Sequence, residues 1–170
     1  MKNLIKLSIL YYSIICLISC SNNPPVFQGN TELKNEIATA INTVFQVQNS
    51  LELDELEEIL STDFKRIAAD VNTNGIDEYK AFLRRSQAMF SVYDMQIIDI
   101  AVNESGGFVR WRFEGIYIGK GSVSSGSDIN VSGLTHYEFD GGRITSEFVG
   151  FNPGWFQAQL SPDAERPDEP

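Results

Sequence analysis

From Thr31 onward, Leu33, Ile37, Ile41, Val44 and Phe45 recur three or four positions apart. That is the period of a helix with one buried face. Thr31 is placed to cap this helix, with Glu32 in its first turn. Asp54 followed by Glu57 reads as a capping box, and Leu56, Ile59 and Leu60 as the stripe of a short second helix. Phe64 to Ala69 reads as a short strand and "VNTNG" as a turn. A third helix is expected from Ile76 to about Met89, with Tyr79, Phe82, Leu83 and Phe90 on or near its inner face.

The period then changes. Met95 to Val102 is rich in isoleucine and valine. From Phe108 to Ile118, Val109, Trp111 and Phe113 alternate with Arg110, Arg112 and Glu114. Gly119 to Ser127 is a glycine-serine loop. Ile129, Val131, Thr135, Tyr137 and Phe139 then share one parity, and Asn130, Ser132, His136 and Glu138 the other. Asp140-Gly141-Gly142 supplies a hairpin turn. Strict alternation puts Ile144, Ser146, Phe148 and Asn152 on one face of the last strand and leaves Glu147 solvated. Helices first and long antiparallel strands after predict an α+β domain, with about three helices on one face of a curved sheet.

Composition places this domain among ordinary globular chains. Apolar residues make up 42% and charged residues 21%, which excludes a disordered chain. The formal charge is −10, and no basic stripe offsets it, so nucleic acid is not an expected partner. One histidine and no thiol cluster argue against a metal site, and no cofactor is expected.

The N-terminus is a separate unit. Lys2 and Lys6 precede an uncharged, mostly apolar stretch from Leu7 to Ile18. It is short for a membrane span but suits a signal-peptide core. The stretch ends in Leu17-Ile18-Ser19-Cys20, which resembles a bacterial lipobox. Residues 1–19 then read as a lipoprotein signal and Cys20 as the lipidated first mature residue, anchoring an exported protein to an inner or outer bacterial membrane. A plain secretory signal and an uncut anchor are the other readings. No cysteine follows Cys20, so the mature chain has no structural disulfide and no cysteine nucleophile. Residues 20–30, with Pro24-Pro25, form an extended tether, residues 31–160 the folded domain, and the charged, proline-rich residues 161–170 a loose tail.

"LELDELEEILSTDF", "NGIDEYKAFLRRSQAMF", "IIDIAVNESGGFVRWRFEGIYIG" and "SGSDINVSGLTHYEFDGGRITSEFVGFN" together resemble SnoaL-like members of the nuclear transport factor 2-like superfamily. The resemblance implies a cone: a strongly bent antiparallel sheet around three helices, with a cavity at its open end. Trp111, Phe113, Tyr137 and Phe148 would wall a pocket for a small, mostly apolar ligand, or simply fill the core. Tyr79 and Tyr117 would offer hydrogen bonds. SnoaL-like cyclases carry an acid/base aspartate at the end of the last strand, and by the match that position is Asn152, an amide that can bind a ligand carbonyl or hydroxyl but cannot titrate. Where the family often reads glycine-threonine-histidine, this chain has Gly115, Ile116 and Tyr117.

Two catalytic candidates remain. His136 falls on the parity opposite Tyr137, which points it outward unless a bulge intervenes. Asp99 interrupts an apolar strand, either as a raised-pKa acid inside the cone or as part of a solvent face. The expectation is a lipid-anchored SnoaL-like domain that binds a small apolar ligand without the family's acid/base machinery. The alternatives are a proton-transfer enzyme of isomerase, cyclase or dehydratase type, and a homodimeric interaction module that uses its sheet face.

Overall fold

The computed structural model describes residues 30–119 and 126–160. The expected signal segment and lipidated Cys20, most of the expected tether and the expected loose tail fall outside these residues. Helix α1 (Thr31–Ser50) buries Ile37, Ile41, Val44 and Phe45, the stripe read from the sequence. Its cap is Asn30 rather than Thr31: the Asn30 Oδ1 accepts from the Leu33 backbone N–H at 3.2 Å.

A single 3-10 turn (Leu53–Glu55) leads into α2 (Leu56–Ile59). No capping box forms here. Asp54 lies inside the 3-10 turn, and Glu57 pairs instead with Lys80 at 2.5 Å, tying α2 to α3 (Ile76–Gln87). Leu60 already belongs to strand β1 (Leu60–Ala68), and the two-residue strand β2 (Thr73–Asn74) turns back beside it.

Four long strands complete the sheet: β3 (Phe90–Asn103), β4 (Gly106–Tyr117), β5 (Ser127–Asp140) and β6 (Arg143–Phe151). β3 starts at Phe90, several residues before the isoleucine-rich stretch that marks it in sequence. The spatial order is β2-β1-β6-β5-β4-β3. Pairing is antiparallel except between β1 and β6, which run parallel. The sheet curves, and its inner face meets the helices over a core that includes Val109, Trp111, Phe113, Val131, Tyr137 and Ile144. The architecture is the α+β one that element order predicts. At the β5–β6 hairpin, Gly141 and Gly142 both have positive φ, 58° and 80°. A type I′ turn requires such values, and they suit glycine.

A fourth helix, α4 (Pro153–Leu160), closes the domain. β5 pairs with β6 only from Gly133 onward, which leaves the backbone of Asn130 on an open edge. The side chains of α4 fill that place. Gln159 Oε1 accepts from Asn130 N–H at 2.6 Å, and Gln159 Nε2 and Trp155 Nε1 donate to its carbonyl at 2.9 and 3.0 Å. Edge groups left bare would otherwise invite another strand.

Candidate functional site

The site follows from a single extra residue in β6. Glu138 pairs with Ser146, but the next residue, Phe139, pairs with Ile144, so Thr145 is the bulged residue. Beyond the bulge the faces exchange. Phe148 points outward, and Glu147, which alternation assigns to solvent, points into the cone at 2% exposure. Bulges re-aim side chains in this way.

Register then assembles a row across the inner face. Glu147 is opposite Arg66 on β1 and opposite Tyr137 on β5. Arg66, only 6% exposed, sets its Nε 3.3 Å from Glu147 Oε1. The hydroxyls of Tyr137 and, from α3, Tyr79 donate to the Glu147 carboxylate. Gln48 on α1 donates to the Tyr79 hydroxyl at 3.2 Å. A buried carboxyl is thus held by one guanidinium and two phenols.

Burial dominates the electrostatics. Loss of hydration pushes the Glu147 pKa up to about 7, while Arg66 and the two tyrosine hydrogen bonds pull the other way. Burial also raises Tyr79 and Tyr137 well above the usual tyrosine range, and the Glu147 charge adds to this. Tyr93 is pushed up to about 12, again mainly by burial. A carboxyl near 7 beside two neutral phenols is chemically able to accept and return a proton.

Arg66 links this interior group to the surface. Its Nη1 and Nη2 fork onto Asp70 at 2.9 and 3.2 Å, Nη1 also donates to the Val71 carbonyl, and the guanidinium lies 4.3 Å from the centre of the Phe82 ring. Two surface depressions, of about 520 and 340 Å³, lie elsewhere, at Leu51–Glu55 with Arg84 and around Val92, Ile116 and Gln159. Neither is lined by the Glu147 row.

The residues singled out from sequence are distributed differently. Tyr79 and Tyr137 belong to the row. Trp111, Phe113 and Tyr117 are buried core, with Trp111 Nε1 donating to Thr135 Oγ1 at 3.0 Å. Asp99 is no interior acid: a bulge between Ile97 and Asp99 turns it outward, where Arg110 pairs with it, the Nε at 2.9 Å. His136 is also on the outer face, its ring stacked between Phe108 and Phe148 at 4.3 and 5.9 Å. Phe148 therefore walls no pocket in the cone. Asn152 is the cap of α4, its Oδ1 accepting from Trp155 N–H at 3.1 Å ahead of Pro153. Glu147 and Arg66 escaped the sequence reading. An arginine at the third position of a strand beginning with Phe64, and a glutamate beside a phenylalanine, signal nothing until the bulge and the parallel β1–β6 register are known.

Residues 41–147 match the model of the SnoaL-like domain, more than half of the chain, and the chain belongs to that family. Solved structures agree on the fold. A candidate SnoaL-like polyketide cyclase from Jannaschia sp. CCS1 superposes with a TM-score of 0.67 at 15% identity, covering 76% of this chain and 94% of that one. TsrD from Streptomyces laurentii gives 0.66 at 16% identity over 75% and 96%. An LEH-like epoxide hydrolase of M. tuberculosis gives 0.58 at 19% over 75% and 90%. Among curated proteins, none matches the chain by sequence.

Proposed function

We propose that this chain is an exported SnoaL-like domain, tethered to a bacterial membrane through lipid on Cys20, whose working group is Glu147. The reading is proton transfer of the isomerase, cyclase or dehydratase type on a small, mostly apolar molecule. One observation carries it: a fully buried carboxyl with a pKa raised to about 7 is fixed between Arg66, Tyr79 and Tyr137. The acid missing at Asn152 is thereby available from Glu147 on the strand that precedes it. In the mechanism this supports, ionised Glu147 takes a proton from carbon next to a carbonyl. A tyrosine hydroxyl then donates a hydrogen bond to the oxygen on which charge develops. A panel of small enolisable ketones and esters in D₂O tests it by proton NMR. Deuterium should enter the α-carbon of at least one compound faster than in buffer, and Glu147→Gln should abolish the gain. Equal exchange with the Gln variant sinks the reading.

The anchor has its own test. Cys20→Ser should move the protein from the membrane to the soluble exported fraction and end acyl labelling. Unchanged membrane association would exclude lipid at Cys20.

The outer sheet face supports a second reading, self-association. Phe108 and Leu134 are 54% and 59% exposed there, next to Phe148 and Ile67. Exposed apolar clusters of this kind mark contact surfaces. Sedimentation of the protein with Phe108→Asp and Leu134→Asp, against the unchanged chain, distinguishes a dimer from a monomer.

A further inference from the structure

We propose that the outer edge of Arg66 is a carboxylate-binding site which Asp70 occupies in the absence of ligand, so that the cone takes a small monocarboxylate with an apolar body. This rests on the cone being the working site, and it names the class of molecule that enters.

Planar two-point pairing is how a guanidinium recognises a carboxylate, and Arg66 makes it with Asp70 through both Nη atoms. Asp70 comes from the turn beyond β1, four residues from Arg66, and its side chain is one-third exposed. The cation is therefore buried while its partner stands at the surface, placed where an incoming carboxylate would first meet the protein.

Arg66 lies between two carboxyls, Glu147 at its inner edge and Asp70 at its outer edge. One guanidinium already serves both carboxyls, and a third anion would add charge that nothing in the cluster offsets. A ligand carboxylate must therefore displace Asp70, which can turn to water at little cost because it is already partly solvated. Glu147 cannot do the same, since it is enclosed. Exchange at the outer edge leaves the charge balance unchanged.

The surroundings of the fork are largely apolar. The ring of Phe82 lies against the guanidinium, Tyr93 is close enough for its hydroxyl to sense Arg66, Asp70 and Glu147, and Val71 is exposed beside them. An apolar or aromatic body attached to the carboxylate would rest on these groups. A polar body would leave its own groups unpaired against them.

The test is direct binding to the full-length chain in detergent, without turnover. Benzoate, cyclohexanecarboxylate and hexanoate are titrated calorimetrically beside their neutral amides. At least one carboxylate should bind and its amide should not. Asp70→Ala removes the internal competitor and should tighten that carboxylate by roughly tenfold. Arg66→Lys, which keeps the charge but not the fork, should weaken it. The proposal is overturned if Asp70→Ala binds none of the three, or if amide and carboxylate bind it equally. The Asp70→Ala comparison stands even where an Arg66 variant fails to fold. Carboxylate binding with no α-carbon exchange would sink the proton-transfer reading and leave this one. Exchange without discrimination between acid and amide would do the reverse.

Discussion

Arg66 and Glu147 face one another from neighbouring parallel strands, register partners whose charged atoms come within 3.3 Å inside the domain. The pair is a cost as well as a feature. Removing two charges from water is expensive, and an apolar pair of similar volume is often as stable or more so. Keeping them leaves a titrating carboxyl, Glu147, enclosed in the cone with two tyrosines.

That group makes stability depend on pH. The folded pKa of Glu147, about 7, lies above the 4.5 of an unperturbed glutamate. Between these values the native state holds a proton that the unfolded chain has released. The stabilisation is thus complete below pH 4.5 and is lost as pH rises through 7. Its size is on the order of 3 kcal/mol. Urea unfolding of Glu147→Gln should lack this fall, so that its stability relative to the unchanged chain improves from pH 5 to pH 8. A constant difference between the two proteins across that range would contradict the assignment.

Loss of Arg66 alone should be severe and should also depend on pH. Arg66→Met leaves Glu147 buried without its cation, a change that costs up to about 3–5 kcal/mol while the carboxyl stays ionised and less where it can take up a proton. At pH 5 the carboxyl is protonated and the cost should shrink. The double variant Arg66→Met with Glu147→Gln should recover much of the loss at pH 8. Urea midpoints of the four proteins at the two pH values measure the coupling.

Sequence reading served the fold better than the site, for physical reasons. The stripe of α1 and the alternation of β4 and β5 are periodic over many residues, and each falls on the buried face as expected. β6 obeys alternation only in part. Thr145 adds one residue, and a slip of one residue moves every later side chain to the other face. Phe148 and Glu147 exchange roles for that reason alone. Asp99 is re-aimed by the bulge in β3. Arg66 joins Glu147 through a pairing between distant segments, which no local pattern records.

Asp99 tests the reassignment from the opposite side. Its ion pair with Arg110 is solvent-exposed, and such pairs contribute about 0–1 kcal/mol. Asp99→Ala should therefore shift the urea midpoint little. It should also leave α-carbon exchange, where present, unchanged. A large loss of exchange in this variant would place Asp99 in the site after all.

Asn152 gives the sharpest separation between a cap and a catalytic group. Its side chain accepts the Trp155 N–H and its carbonyl the Phe156 N–H, so it starts α4. Asn152→Ala should cost about 1 kcal/mol and release the helix end. The change should be local: faster amide exchange at Trp155 and Phe156, and weaker protection of Asn130, whose backbone α4 covers. Asn152→Asp should keep the cap, because a carboxylate accepts the same bond and suits the positive end of the helix. If Asn152 were instead the lost acid of the family, the Asp variant would gain proton-transfer activity over that of the unchanged chain. The cap assignment predicts no such gain and near-equal stability of the Asn and Asp forms. Hydrogen exchange and α-carbon deuteration on the same three proteins decide between them.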